Sequence, residues 1–366
     1  MKRKPDPNKT PAALGFRMPA EWEPHEATWI AWPHNRTDWP GKIFAIQWAM
    51  AEMVRKIAPG EIVRILVNSS EHEGKARSLL TRAHVDMSRV EFFRIGTDRS
   101  WVRDSGPIFI RRGGTRPEMG VVDFVFNAWA RYTDWKKDAR VASRVGKAMG
   151  LRVFEARSDG VPVVLEGGAI DTNGNGTLVT TEECLLDTSV QCRNPQLDRD
   201  AVEWAICDHL GVTNILWLAR GIAGDDTHGH VDDLCRFVNP TTVVLCQEDD
   251  VRDINYYPLA QNRQQLANHR LEDGSRIEVV PLPMPEPLHF DGRRLPASYA
   301  NFYIANACVL VPTFNDPMDR VALGILSEIF RDRPVVGIHS GDLIWGFGAI
   351  HCLTQQQPSF YNTTQP

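Results

Sequence analysis

The chain of 366 residues has no apolar run of membrane-spanning length, which sets aside a transmembrane role. It has no basic surplus: 41 Lys and Arg stand against 46 Asp and Glu, for a net charge of −5, and no basic stripe is present to hold nucleic acid. Cysteine is sparse. The seven, Cys184, Cys192, Cys207, Cys235, Cys246, Cys308 and Cys352, are odd in number, and none forms a CxxC pair. This excludes a disulfide framework and a zinc ribbon, and fits a reducing cytoplasm. The N-terminal "MKRKPDPNKTPAALGF" lacks the apolar centre of a secretion signal. Residues 1–15 are therefore expected to be a flexible tail. No stretch rich in Gly, Ser or Pro divides the remainder, so residues 16–366 are expected to form one domain.

What is present is a rhythm. Helical patterning marks 42–57, 71–84, 134–149, 196–210, 256–270 and 317–331. In the last of these, Val321, Ile325 and Ile329 recur at four-residue spacing and predict the buried stripe, with Leu323 and Leu326 at its flanks. Gly211 is expected to end the fourth. Between the helices lie short β-rich runs such as "IVRILV", "VVDFVF", "ILWLA", "TTVVLC" and "CVLVPTF". An α/β fold follows, with strand–strand–helix–strand recurring roughly every 60 residues. Polar clusters punctuate the rhythm at "WVRDSGP", "LEGG", "GHVDD", "PASYANF" and "AIHCLT". Copies arranged around an axis would bring all five clusters to one end.

Each cluster carries a group with chemistry. Cys352 stands among small and polar residues in "WGFGAIHCLTQQQP", where Gly346 and Gly348 would let backbone approach a ligand. As a nucleophile it needs a nearby cation or base to favour the thiolate. Cys184, Cys207, Cys246 and Cys308 lie beside apolar residues and are read as inert core thiols. His230 and Asp232 are two apart in "GDDTHGHVDD", and on a strand both would point to one face, a pair suited to acid–base work near neutral pH. A metal site from His228, His230 and Asp232 has no evident further ligand, so no metal is expected. Asp104 offers a carboxylate able to accept paired N–H bonds, and with Asp232 it would clasp a planar guanidinium. Glu166, ending an apolar strand, needs a partner if buried, with a histidine the first candidate.

These motifs, in this order, resemble the agmatine deiminase family and the related bacterial-type peptidylarginine deiminases of the guanidino-group-modifying superfamily. The resemblance runs from "MPAEWEPHEATWIAWPHNRTDW" through "FNAWARYTDW" and "LEGGAIDTNGNGTLVTTEECLL" to "IHCLTQQQP". It implies a five-bladed pseudo-symmetric α/β propeller of ββαβ units, catalytic over 16–366. It implies hydrolysis of a small cationic guanidine, agmatine first, to a ureido compound (N-carbamoylputrescine) and ammonia, as in putrescine formation. It gives Cys352 as nucleophile, His230 as acid and base, Asp104 and Asp232 as guanidinium ligands, and Glu166 as the acid beside them. Trp101, Asp38, Asp226 and Asn301 are the expected substrate-binding residues. No cofactor is implied, and a homo-oligomer is open. Peptidylarginine, another guanidine, or transfer of the amidino group to an amine are the alternative reactions. Two departures fall near the pocket. "GFGA" at 346–349 stands where the family has Gly-Gly-Gly-Asn, and "DDTHGH" has Thr227 and His228 where an acid is usual.

Overall fold

The computed structural model describes residues 10–360 as a mixed α/β fold. Residues 1–9, most of the expected tail, lie outside the described residues, and Ala12–Leu14 forms a 3-10 turn. Among the described residues, five sheets share one internal order. Each has a first strand antiparallel to a second, a helix, and a third strand parallel to the second. The series runs Ile108–Arg112, Glu118–Asp123, Arg152–Glu155; then Asp171–Thr172, Thr177–Thr181, Asn214–Leu218; then Cys235–Phe237, Thr242–Gln247, Glu278–Pro283; then Tyr303–Ile304, Val309–Thr313, Val335–His339. The fifth sheet joins both ends of the described chain. Gln355–Pro358 pairs antiparallel with His25–Ala31, which pairs parallel with Ile62–Leu66, extended by Val90–Phe93. The helices Val141–Ala148, Arg199–Leu210, Tyr256–Asn268, Pro317–Ile329 and Ile43–Ile57 make the parallel crossovers.

The helix ends follow elementary rules. The Asp198 side chain caps Arg199–Leu210 by accepting from Ala201 N at 2.9 Å, and Gly211 closes it at φ +68°. Ile43–Ile57 buries Ile46, Met50, Met53, Val54 and Ile57 along one face, each burial worth about 1.5–3 kcal/mol. On Pro317–Ile329 the expected stripe is one residue out of step. Ala322, Leu326 and Phe330 are buried, and Val321 is 46% exposed. Seven apolar residues surround that helix, and spacing alone does not say which row faces the sheet. The expected helix at 134–149 is shorter and opens with a 3-10 turn, Asp138–Arg140. The "VVDFVF" strand ends at Asp123, so Phe124–Phe126 leave the sheet. No helix among the described residues is long and apolar enough to cross a membrane.

One regularity positions the site. A short helical turn or loop precedes the first strand of each sheet: Val102–Ser105, Gly167–Ala169, Val231–Asp233, the segment 299–301 and His351–Leu353. These are the five polar clusters of the sequence.

Candidate active site

The turns place Asp104, Glu166, His230, Asp232, Asn301 and Cys352 within one buried assembly. A cavity of about 320 Å³ opens onto Cys352 and Asp104, lined further by Asp38, Trp101, Trp129, Tyr132, Asp226 and Phe347. That volume suits a small ligand.

His230 is not on a strand, as its spacing to Asp232 suggested. It precedes the 3-10 turn Val231–Asp233. A turn brings it close to Asp232 as effectively as a strand face would. Its Nδ1 lies 3.7 Å from Asp104 Oδ1 and 4.0 Å from Asp232 Oδ1, and its Nε2 lies 3.6 Å from Glu166 Oε2. Burial pulls its pKa down, but Asp104, Cys184 and Glu166 carry it well above the usual value, so the ring is held as imidazolium. Both ring nitrogens lack a close hydrogen-bond partner in the protein, leaving them available to a ligand or water.

Three carboxylates surround the sulfur with different burdens. Asp104 accepts from Trp129 Nε1 at 2.9 Å and from Gly168 N at 3.1 Å. Burial, with Asp232 and Glu166 nearby, pushes its pKa to about 6. Asp232 accepts from His351 Nδ1 at 2.6 Å, and against the upward push of burial this bond lowers its pKa. Asp233, absent from the sequence candidates, is driven well above the usual carboxylate range by burial and by Asp232, so it is held protonated. Gly168 forms a wall between them. A Cβ there would come within 2.5 Å of His230 Nδ1 and 2.8 Å of Asp104 Oδ1.

Cys352 Sγ lies 3.9 Å from Asp232 Oδ2 and receives the Asn301 side-chain amide at 3.1 Å. Burial, then Asp232, Asp233 and Asp104, raise its pKa well above that of a free thiol. The cation expected beside the sulfur is therefore replaced by acids, and the resting thiol is neutral. Asn301 is not among the residues lining the cavity, and neither are His230, Asp232 and Glu166. The Asn301 amide oxygen accepts from His351 N at 2.9 Å, so the residue braces the turn that carries Cys352. Gly346 and Gly348 give room to indole rings as well as to a ligand. A Cβ on Gly348 would meet Trp101 Cζ3 at 2.7 Å, and one on Gly346 would meet Trp39 Nε1 at 2.6 Å.

Beneath these groups are residues the motifs did not single out. Glu21 accepts from His351 Nε2 at 2.8 Å, Arg236 Nη2 at 2.8 Å, Arg103 Nη2 at 3.1 Å and Ile304 N at 2.9 Å. Glu166 has Arg193 as its ion-pair partner, at 2.9 Å and fully buried, with His230 the looser neighbour. Burial opposes ionisation of Glu166, but Arg193 and His230 outweigh it and lower the pKa to about 2. Cys184 is buried as expected, yet it lies beside Glu166 and His230.

Toward the cavity mouth, Asp38 pairs with Arg99, and Tyr132 donates to Asp226. Burial raises Asp38 to about 7 and Asp226 to about 6. Ala128, Trp129 and Ala130 hold φ of +53°, +59° and +51°, three successive left-handed residues at roughly 1–2 kcal/mol each. That turn aims Trp129 at Asp104 and Tyr132 at Asp226.

For metal, Glu166, Cys184 and His230 form one trio with ligand atoms within 4.8 Å of one another, and Asp232, Asp233 and Cys352 form another. Both consist of groups already engaged above. His228 turns to Asp187 at 2.9 Å rather than joining His230.

The profile of the Porphyromonas-type peptidyl-arginine deiminases matches residues 17–358. The chain is 36% identical to the agmatine deiminase of Ectopseudomonas mendocina (strain ymp), over 96% of this chain and 97% of that protein. It is 38% identical to the agmatine deiminase of Stutzerimonas stutzeri (strain A1501), over 96% and 97%. Among solved structures it is similar to the agmatine deiminase of Enterococcus faecalis, with a TM-score of 0.88 and 31% identity over 99% of this chain and 100% of that one. An agmatine deiminase of C. jejuni with substrate bound matches with a TM-score of 0.82 and 28% identity, over 94% and 96%.

Proposed function

Because this chain belongs to the Porphyromonas-type peptidyl-arginine deiminase family, we propose that it hydrolyses the guanidinium of a small cationic substrate, agmatine first, to a ureido group and ammonia. The observation that carries this reading is that Cys352 and Asp104 line one cavity while His230 lies 3.7 Å from Asp104 and Asp232 lies 3.9 Å from the sulfur.

The chemistry follows from charge. A guanidinium placed between Asp104 and Asp232 donates parallel N–H bonds to both carboxylates. It also cancels the negative field that keeps the Cys352 thiol protonated, so the proton leaves as the substrate enters. The thiolate attacks the central carbon and forms a C–S bond. His230, held as imidazolium, gives its proton to the nitrogen that departs as ammonia. This leaves a thiouronium on Cys352. The now neutral His230 takes a proton from water, hydroxide adds to the same carbon, and the C–S bond breaks to release the ureido product. Glu166, fixed by Arg193, stabilises the imidazolium in both steps. Trp101 packs along the alkyl chain, and Asp226 and Asp38 favour a distal cation.

The five ββαβ sheets are read as blades of a pseudo-symmetric propeller, with the five turns meeting at one end of its axis.

The test is ammonia release from agmatine by purified protein, with Cys352→Ala as control. Turnover that stops in the variant supports the reading. No ammonia from agmatine, arginine or other guanidines across a range of pH overturns it, and so does amidino carbon passing to an added amine.

A further inference from the structure

Gly346, Phe347 and Gly348 form a roof over the cavity, immediately before the turn that carries Cys352. Phe347 sits at φ +64° and ψ +26°, a left-handed conformation costly to any residue with a Cβ. A bulky aromatic persists in such a conformation only where its surroundings over-determine it, and here the ring lines the cavity. The guanidinium carbon of Arg293 lies 4.3 Å from the centroid of that ring. Arg293 belongs to the hairpin of His289–Phe290 and Arg293–Arg294. Phe290 of the same hairpin stacks on Trp345 at 3.7 Å and 22°. Two ring contacts, 290 on 345 and 293 on 347, thus clip the hairpin to the roof across the cavity mouth.

The geometry points to Phe347, clipped by Arg293, as the residue that sets which guanidine tails enter: slim, unbranched alkyl chains pass, and tails branched at the carbon bearing the distal amine are excluded. This rests on the deiminase reading above. With glycine at 347 the backbone strain is relieved and the ring's volume is returned to the mouth, so the substitution tests selectivity without loading the fold.

The experiment compares agmatine with an Nα-acyl-arginine amide, by kcat/KM, for the wild type, Phe347→Gly and Arg293→Ala. The expected result is a rise of tenfold or more in the ratio favouring the branched substrate in Phe347→Gly, and a smaller rise in Arg293→Ala. A change of less than tenfold in Phe347→Gly overturns the inference. If that variant has no turnover, the same criterion is read from the ratio of the two Kd values, each variant combined with Cys352→Ala. A wild type that turns over neither these two compounds nor any other guanidine defeats the deiminase reading itself, and the inference with it.

Discussion

Asn301 donates its side-chain amide to Cys352 Sγ at 3.1 Å while the same nitrogen lies 3.0 Å from Asp233 Oδ1. The amide is the neutral donor nearest the sulfur amid three carboxylates. A hydrogen bond to a charged acceptor contributes about 1.5–3 kcal/mol. Asn301→Ala should therefore lower kcat by about 10–100-fold with KM little changed. Asn301→Asp should lower it further, because it sets another acid against the thiolate. Steady-state kinetics of both variants, with circular dichroism to check folding, decides this.

Asp104 makes activity and stability respond to pH in opposite senses. Its folded pKa is about 6, above the ordinary carboxylate value. The native state then binds more protons than the unfolded chain between about pH 4 and 6, so this carboxylate's contribution to stability falls as pH rises through that window. Binding a guanidinium needs the ionised form, so kcat/KM should drop about tenfold per unit below about pH 6. Asp104→Asn should abolish activity yet stabilise the fold at pH 7 by about 2 kcal/mol, discounted for its bonds to Trp129 and Gly168. Urea denaturation at pH 7 measures this, and destabilisation would contradict it.

Gly168→Ala places a methyl against His230 and Asp104 where only hydrogen fits. The neighbours are the groups to which the proposed mechanism gives the chemistry, and displacement of about 1 Å costs on the order of 100-fold in rate. A drop of that size in kcat/KM, with the variant still folded by near-ultraviolet circular dichroism, is expected.

Glu21 is a positioning residue. It holds His351, which in turn holds Asp232. Glu21→Gln leaves Arg236 and Arg103 buried beside a neutral amide and should destabilise the protein by about 3–5 kcal/mol. A stability loss with an unchanged pH–rate profile would show that Glu21 supports the fold alone. A profile shifted along the pH axis is the expected result.

Much of this was legible in the chain, for physical reasons. The six helices stand out because each buries one stripe of a 3.6-residue period. Their ends agree with the structure within a few residues, except at 134–149. The five polar clusters stand out because each interrupts an apolar context. The failures share a cause. The two-residue spacing of His230 and Asp232 fits a tight turn as well as a strand, so it does not tell the two apart. The bond of Asn301 to Cys352 is not legible because it spans 51 residues of sequence. Glu21 and Arg193 were missed because a buried carboxylate or guanidinium announces itself only through partners, and these come from other sheets. Arg193 carried one faint signal, since a buried Glu166 demands a cation. Asp233 adjoins a candidate, and nothing in the local sequence separates its role from that of Asp232.

The most direct measurement is intact-protein mass spectrometry of enzyme quenched with acid during turnover of agmatine. The account predicts an adduct of the mass of agmatine less ammonia, located to Cys352 by peptide mapping and absent from Cys352→Ala. Turnover with no adduct on Cys352, or ammonia release undiminished in Cys352→Ala, would contradict it.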